Sequence, residues 1–273
     1  MLRAVWSRVA EGWVGAIGLV ALLLLWQIGS FFYNPVVLPS PLDTLRALID
    51  LSLKGRLLEP AVRTVAHALG GYALAAGLGT IVGIAAGLNP PLRKAIWPVV
   101  SILQGMPVIA WIVLALLWFG TGDNPPVFAV ALSCLPIVFV GAIQGVVTVD
   151  RGLLQMASAF RAPLRVLLGD LYLPHLLSYL FPAMLSGLGL AWKVALTAEL
   201  LASEKGIGAD FGLARVNLNM AEAMAWVLVM LALMFAFEYL LVHPLQRWLE
   251  PWRREEPRSA TTGNGRVTAE AVG

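Results

Sequence analysis

The sequence predicts an all-α integral membrane protein with six transmembrane helices. Of its 273 residues, 59% are hydrophobic and 13% charged, where soluble globular domains carry about 25% charged residues. The charges are also spaced so that uncharged runs able to cross about 30 Å of hydrocarbon recur along the chain. Such runs lie between Glu11 and Asp43, Arg63 and Arg93, Lys94 and Asp123, and Asp123 and Asp150, and from Leu171 to Trp192. A sixth, from Ala223 to Phe237, is continued past Glu238 by YLLVHPL. These runs place helices at 12–32, 61–88, 95–119, 126–148, 174–202 and 223–244. Orientation follows from the basic residues, which favour the cytoplasmic side. Arg3, Arg8, Arg93, Lys94, Arg151, Arg161, Arg165, Arg247, Arg253, Arg254, Arg258 and Arg266 fall on one side of this scheme, against Arg46, Lys54, Arg56, Lys205 and Arg215 on the other. Both termini are therefore expected in the cytoplasm. The net charge of +3 is a topology signal and does not point to nucleic acid.

The first run exceeds the 7–15 apolar residues of a signal-peptide core, and no A-x-A-like site follows it, so it reads as a permanent helix after a cytoplasmic segment 1–11. Pro39, Ser40 and Pro41 then break the chain before an amphipathic helix whose apolar positions, Leu42, Leu45, Leu48 and Ile49, suit the outer interface. Span two places Gly79, Gly83 and Gly87 four residues apart, a spacing that lets helices approach backbone to backbone in lipid. Packing within one subunit and packing between two are both open for it. Span three is interrupted by Gln104, Gly105, Met106 and Pro107. Unwound backbone at that depth is tolerated in protein or beside a water-filled cavity. Gln104, Met106 and Pro107 are therefore candidate pathway residues, with a plain proline kink as the alternative. Cys134, the only cysteine, reads as a small core residue in span four and excludes an internal disulfide.

Span five carries two charges at membrane depth, Lys193 and Glu199, and charges there usually face a cavity or a partner. Lys193 either offers positive potential to an anion crossing the membrane or satisfies a helix end or acidic group. Six residues apart, the two do not share a helical face, so they are not expected to pair along the helix. Glu238 suits the ends of neighbouring helices. His67, His175 and His243 have no metal-ligand spacing, and no nucleophile–base or paired-carboxylate pattern marks a catalytic or metal site. Residues 251–273 are polar and poor in aromatics, a composition expected to be disordered.

Between spans four and five, residues 150–174 form a polar connector with helical periodicity: Leu153, Met156, Ala157 and Phe160 share one face. Pro163 can start a second short helix and Pro174 can end it. Arg161 and Arg165 flank Leu164. The segment could push a rigid knob into a soluble partner, or rest as a basic amphipathic loop on anionic headgroups.

From Gln155, Ala157 comes two residues on, Arg161 six on, and Leu173-Pro174 eighteen and nineteen on. This resembles the cytoplasmic loop of ABC-importer permeases, EAA-x3-G-x9-I-x-LP, with Gln155, Arg161 and Leu171 in place of the family's Glu, Gly and Ile. LPSP before an amphipathic helix, the Gly-rich second span, AWIVLALLWFGTGD, LP-x-V-F-V, GLGLAWKVALTAELLA and EYLLVHPLQRWLEPWRR follow in the same order. Together they resemble the permeases of the nitrate/sulfonate/taurine branch over roughly residues 10–253. The family's Arg-Pro in span three is here Gln104-Gly105.

The resemblance implies a type I importer-like permease fold over residues 12–250 with a cytoplasmic coupling helix. It implies an inner-membrane homodimer, two copies of an ABC ATPase, and a periplasmic or lipid-anchored solute-binding protein. Gln155, Ala157, Ser158, Phe160, Arg161, Ala162, Pro163, Leu164 and Arg165 then form the ATPase-docking loop. The four lysines, Lys54, Lys94, Lys193 and Lys205, precede Gly, Ala, Val and Gly, so none completes a phosphate-binding P-loop. ATP and magnesium are left to the ATPase, and no cofactor is expected in this chain. The expected cargo is a small anion such as a sulfonate, taurine or nitrate. A pyrimidine or vitamin precursor is the alternative within the family. A self-sufficient secondary transporter would require inverted repeats, which the sequence lacks.

Overall fold

The computed structural model describes residues 2–237 together with Tyr239, Leu240 and Pro244, with side chains from Ile17 onward. The end of span six, with Glu238 and His243, and the polar tail 251–273 lie outside the described residues. The described elements are helical: α1 (Leu2–Phe32), α2 (Pro41–Leu53), α3 (Leu58–Leu88), α4 (Pro90–Gly105), α5 (Val108–Phe119), α6 (Asn124–Val147), α7 (Arg151–Ala159), α8 (Leu164–Val166), a π-helical turn (Leu167–Tyr172), α9 (Leu173–Ala202), α10 (Ile207–Val216) and α11 (Met220–Phe237).

Among the described residues, four helices are long and apolar enough to cross a membrane: Leu58–Leu88, Asn124–Val147, Leu164–Ala202 and Met220–Phe237. The third expected span is not one helix. Pro107 has no N–H to continue the α4 ladder and favours extended backbone at the residue before it. Met106 accordingly sits at φ −80°, ψ 130°, and α4 meets α5 at 97°. That angle corrects both the continuous helix over 95–119 and the simple kink: this is a broken span or a re-entrant pair. The apolar part of α1, Ile17–Phe32, is about 24 Å long at 1.5 Å per residue.

The centre of the bundle is α6, whose packing against α3 on one side and α9 on the other is more extensive than that of other helix pairs among the described residues. The glycines of span two explain how. Gly79, Gly83 and Gly87 face Val138, Ala142 and Val146 of α6; a Cβ on Gly83 would stand 2.6 Å from Ala142 Cβ and 2.8 Å from the Phe139 carbonyl. The small-residue stripe is thus an intrasubunit contact between α3 and α6. α9 is tied to the same pair by polar bonds, with Tyr72 Oη donating to Met184 O at 2.9 Å. Cys134, fully buried, donates its thiol to Gly187 O at 3.3 Å.

A second core joins the short helices. Leu51, Ile207, Ala214, Ala223, Ala225 and Trp226 pack together and draw in Leu48. The N-cap of α2 is Ser40, whose Oγ accepts from Asp43 N at 3.1 Å. Leu48 therefore packs inward with Leu51, while Leu42, Leu45 and Ile49 stay exposed, so α2 presents an apolar side to its surroundings as an interfacial helix does.

Candidate functional site

The connector between α6 and α9 is built from capping chemistry. Thr148 Oγ1 lies 3.0 Å from His175 Nε2 and closes its base. Asp150 caps α7, accepting from Gly152 N at 2.7 Å. At the other end, Ala162 N donates to Ala157 O at 2.9 Å and Arg161 N to Ser158 O at 3.0 Å. This pair of bonds is a Schellman closure, whose C′ residue must adopt left-handed backbone. That residue is Arg161, at φ 49°.

The position where the resembled loop carries glycine is therefore the one position that geometry reserves for glycine. In its place an arginine holds left-handed backbone, at a cost of about 1–2 kcal/mol. Pro163, extended at ψ 148°, then starts α8. The expected second short helix does not end at Pro174. From Leu164 the chain runs through the π-helical turn into α9 as one continuous helix to Ala202, so Pro174 sits inside it, directly after the turn Leu167–Tyr172 whose widened hydrogen-bond register departs from the α ladder.

No residue of α7 is buried. Phe160 is 81% and Leu164 73% exposed, and Gln155, Ser158, Arg161, Pro163 and Arg165 are exposed around them, with Ala157 and Ala162 half-buried. The loop thus exposes two large apolar side chains, Phe160 and Leu164, together with the side chains of Arg161 and Arg165.

The membrane-embedded candidates separate into two environments. The buried positions of α9 lie mainly between Leu185 and Ala202, and the exposed positions in that stretch are Ser186, Gly189, Lys193, Thr197 and Leu201; nearer its start Leu173, Pro174, Leu177, Ser178 and Tyr179 are exposed as well. The hydroxyls of Ser186 and Thr197 donate to their own helix, to Pro182 O and Lys193 O. Lys193 forms no ion pair among the described residues. Gln104 and Pro107 are exposed at the α4–α5 break and Met106 is half-buried.

Glu199 differs from that expectation. It is fully buried, so it lies inside the subunit and lines no surface. Its Oε2 accepts from Thr64 Oγ1 at 2.8 Å and from Gly208 N at 3.0 Å. Its Oε1 lies 2.7 Å from His67 Nδ1, and His67 Nε2 lies 3.2 Å from Asp123 Oδ1. Arg63 reaches the other Asp123 oxygen at 3.5 Å. A buried carboxylate is stable only when paired and hydrogen-bonded, and partners from α3 and α10 meet that demand here.

Sequence reasoning missed Thr64, His67 and Asp123 as partners. They stand 135, 132 and 76 positions from Glu199, beyond any local pattern. The local sequence sign that accompanies the cluster is Gly206-Ile207-Gly208, which by itself does not point to Glu199. Gly206 has φ 111°, and a Cβ on it would strike the Glu199 carboxylate. Beyond the spans, burial pushes the Asp210 carboxyl up; Arg56 opposes this and the carboxylates of Glu222, Glu59 and Glu199 add to it.

Residues 75–255 match the family described as the binding-protein-dependent transport system inner membrane component. The chain belongs to that family. Among relatives, it is 27% identical to the taurine transport system permease protein TauC of Escherichia coli (strain K12), covering 88% of this chain and 90% of that one. It is 28% identical to the putative aliphatic sulfonates transport permease protein SsuC of Bacillus subtilis (strain 168), covering 74% of each. It is 31% identical to the riboflavin transport system permease protein RibX of Chloroflexus aurantiacus (strain ATCC 29366 / DSM 635 / J-10-fl), covering 86% of this chain and 88% of that one. The fold is that of a solved inward-facing conformation of the MetNI methionine ABC transporter, at a TM-score of 0.60 and 16% identity over 73% of this chain and 97% of that one.

The chain is thus a multi-pass inner-membrane protein, the permease subunit of an ABC importer. It is non-catalytic, ATP hydrolysis belonging to a separate ATPase subunit, and it works with a second permease copy in the membrane.

Proposed function

We propose that two copies of this chain form the pathway for a small anion of the sulfonate or taurine type, delivered by a solute-binding protein. The observation that carries the reading is Lys193: an exposed ammonium in line with the exposed Ser186, Gly189 and Thr197, on the stretch of α9 whose other positions are mostly buried. A lysine at membrane depth costs on the order of 2.5–3.5 kcal/mol on insertion scales, so this line of positions is better matched to an aqueous cavity between subunits than to lipid. Gln104, Met106 and Pro107 sit where backbone groups leave the helical ladder, and belong to the same pathway wall in this reading.

Two ATPase subunits bind the loop 150–174 from the cytoplasm, with Phe160 and Leu164 as the knob and Arg161 and Arg165 steering it. ATP and magnesium stay with them, and this chain binds neither. Six crossings, counting α1 and the α4–α5 pair, put both termini in the cytoplasm, with residues 12–250 as the membrane domain and 251–273 as a tail.

The experiment is uptake by the complete importer in proteoliposomes, with taurine, short alkanesulfonates and riboflavin as solutes. Wild type should accumulate a sulfonate. Lys193→Met, which keeps the stem's volume and removes the charge, should assemble normally, keep basal ATP hydrolysis and lose at least tenfold in uptake. Unchanged anion uptake in that variant would end the role of Lys193. Accumulation of riboflavin alone would favour the second reading, a flat uncharged heterocycle, which the likeness to the riboflavin permease supports.

A further inference from the structure

The buried cluster around Glu199 has no part in the pathway or the docking loop, and its geometry makes it proton-dependent. One imidazole stands between two carboxylates: His67 Nδ1 faces Glu199 Oε1 at 2.7 Å and Nε2 faces Asp123 Oδ1 at 3.2 Å. A neutral imidazole has one N–H and one lone pair. Without a further proton, one of the two contacts would set a lone pair against a carboxylate oxygen. Both become hydrogen bonds only when the bridge carries one more proton, on the ring or on a carboxyl.

What the bridge holds is the first turn of α10. Helix-initiating amides lack partners within their own helix. Here Gly208 N donates to Glu199 Oε2 at 3.0 Å, and Ile207 N donates to Thr64 Oγ1 at 2.9 Å. Thr64 in turn donates to Glu199. The two amides are therefore satisfied by α3 and α9, and no side chain of α10's own N-cap, Gly206, can replace them. Gly208 permits the approach, since a Cβ there would stand 2.7 Å from Glu199 Cβ.

We propose that Glu199 and His67 are positioning residues forming a proton-dependent latch, which locks the first turn of α10 to α3, α9 and the start of α6 and releases it when the bridging proton leaves. The groups that set its titration come from each surrounding element. Arg63 of α3 contacts Asp123 and disfavours the proton. Asp123 at the start of α6, Glu199 of α9 and Asp210 of α10 favour it. Glu204 and Lys205, which line a cleft with Arg63, Gly206 and Asp210, act in opposite directions. The inference rests on the importer reading only for its consequence: the latch lies on the side of the membrane where solute would arrive, so opening for solute would become pH-sensitive.

Amide hydrogen exchange of the purified full chain tests the latch directly, read on peptides covering residues 203–212 from about pH 5 to about pH 8 and corrected for intrinsic exchange rates. In wild type, protection should fall about tenfold or more across one transition, the scale of a lost hydrogen bond to a charged group. Glu199→Gln and His67→Gln should remove the transition. Asp123→Asn, at a half-exposed position, should keep the fold and move the transition to lower pH. A flat wild-type profile, or an unmoved transition in Asp123→Asn, overturns the proposal even where the two core variants do not fold. ATPase stimulation by this chain, measured in parallel, fails separately if the importer reading is wrong.

Discussion

Arg161 shows how one side chain can serve two demands at once. The loop closes through two backbone bonds that require left-handed geometry at its C′ position, and Arg161 supplies it at φ 49°. The same residue places a cation beside the exposed Phe160 and Leu164. Glycine there would remove the strain and the charge together. Arg161→Gly should therefore stabilise the local turn by about 1 kcal/mol, seen as roughly fivefold slower exchange of the Arg161 and Ala162 amides. Coupling to the ATPase should persist through Arg165. Faster exchange in that variant would show that the arginine side chain, and not backbone geometry, holds the turn.

At the scale of elements, the weight falls on close contacts that glycine allows. Gly83 lets α3 meet α6 at backbone distance, and Gly83→Leu would drive a branched side chain into Ala142 and the Phe139 carbonyl. Overpacking of this kind costs about 1–3 kcal/mol or more. The expected outcome is a lower melting temperature in detergent, with Gly77→Leu, which meets nothing within 4 Å, as the unaffected control.

Much at this scale was legible in the sequence. Uncharged runs located α3, α6 and α9 to within three residues at each end, because membrane insertion leaves a strong compositional mark. The QGMP break was legible as a position but not as a 97° angle, since that angle depends on what α4 and α5 pack against. The π-helical turn left no mark, and Pro174 reads in sequence as a helix stop although the helix continues through it behind that turn. The Glu199 cluster was illegible for another reason: its partners converge only when α3, α6, α9 and α10 are assembled.

For the whole molecule, family membership, an all-α membrane fold and a knob-bearing loop agree on an importer permease. Its orientation is testable independently of transport. Reporter fusions after Gly273 and within Leu51–Glu59 should report opposite sides of the membrane, the first cytoplasmic; the same side for both would refute the six-crossing arrangement. The central claim is that the loop 150–174 transmits ATP-driven motion to this subunit. The most direct measurement is binding-protein-stimulated ATP hydrolysis by the reconstituted importer carrying Arg161→Glu together with Arg165→Glu. Both side chains are exposed, so their reversal should leave the membrane helices packed while stimulation falls to the unstimulated rate. Wild-type stimulation in the double variant would contradict the account.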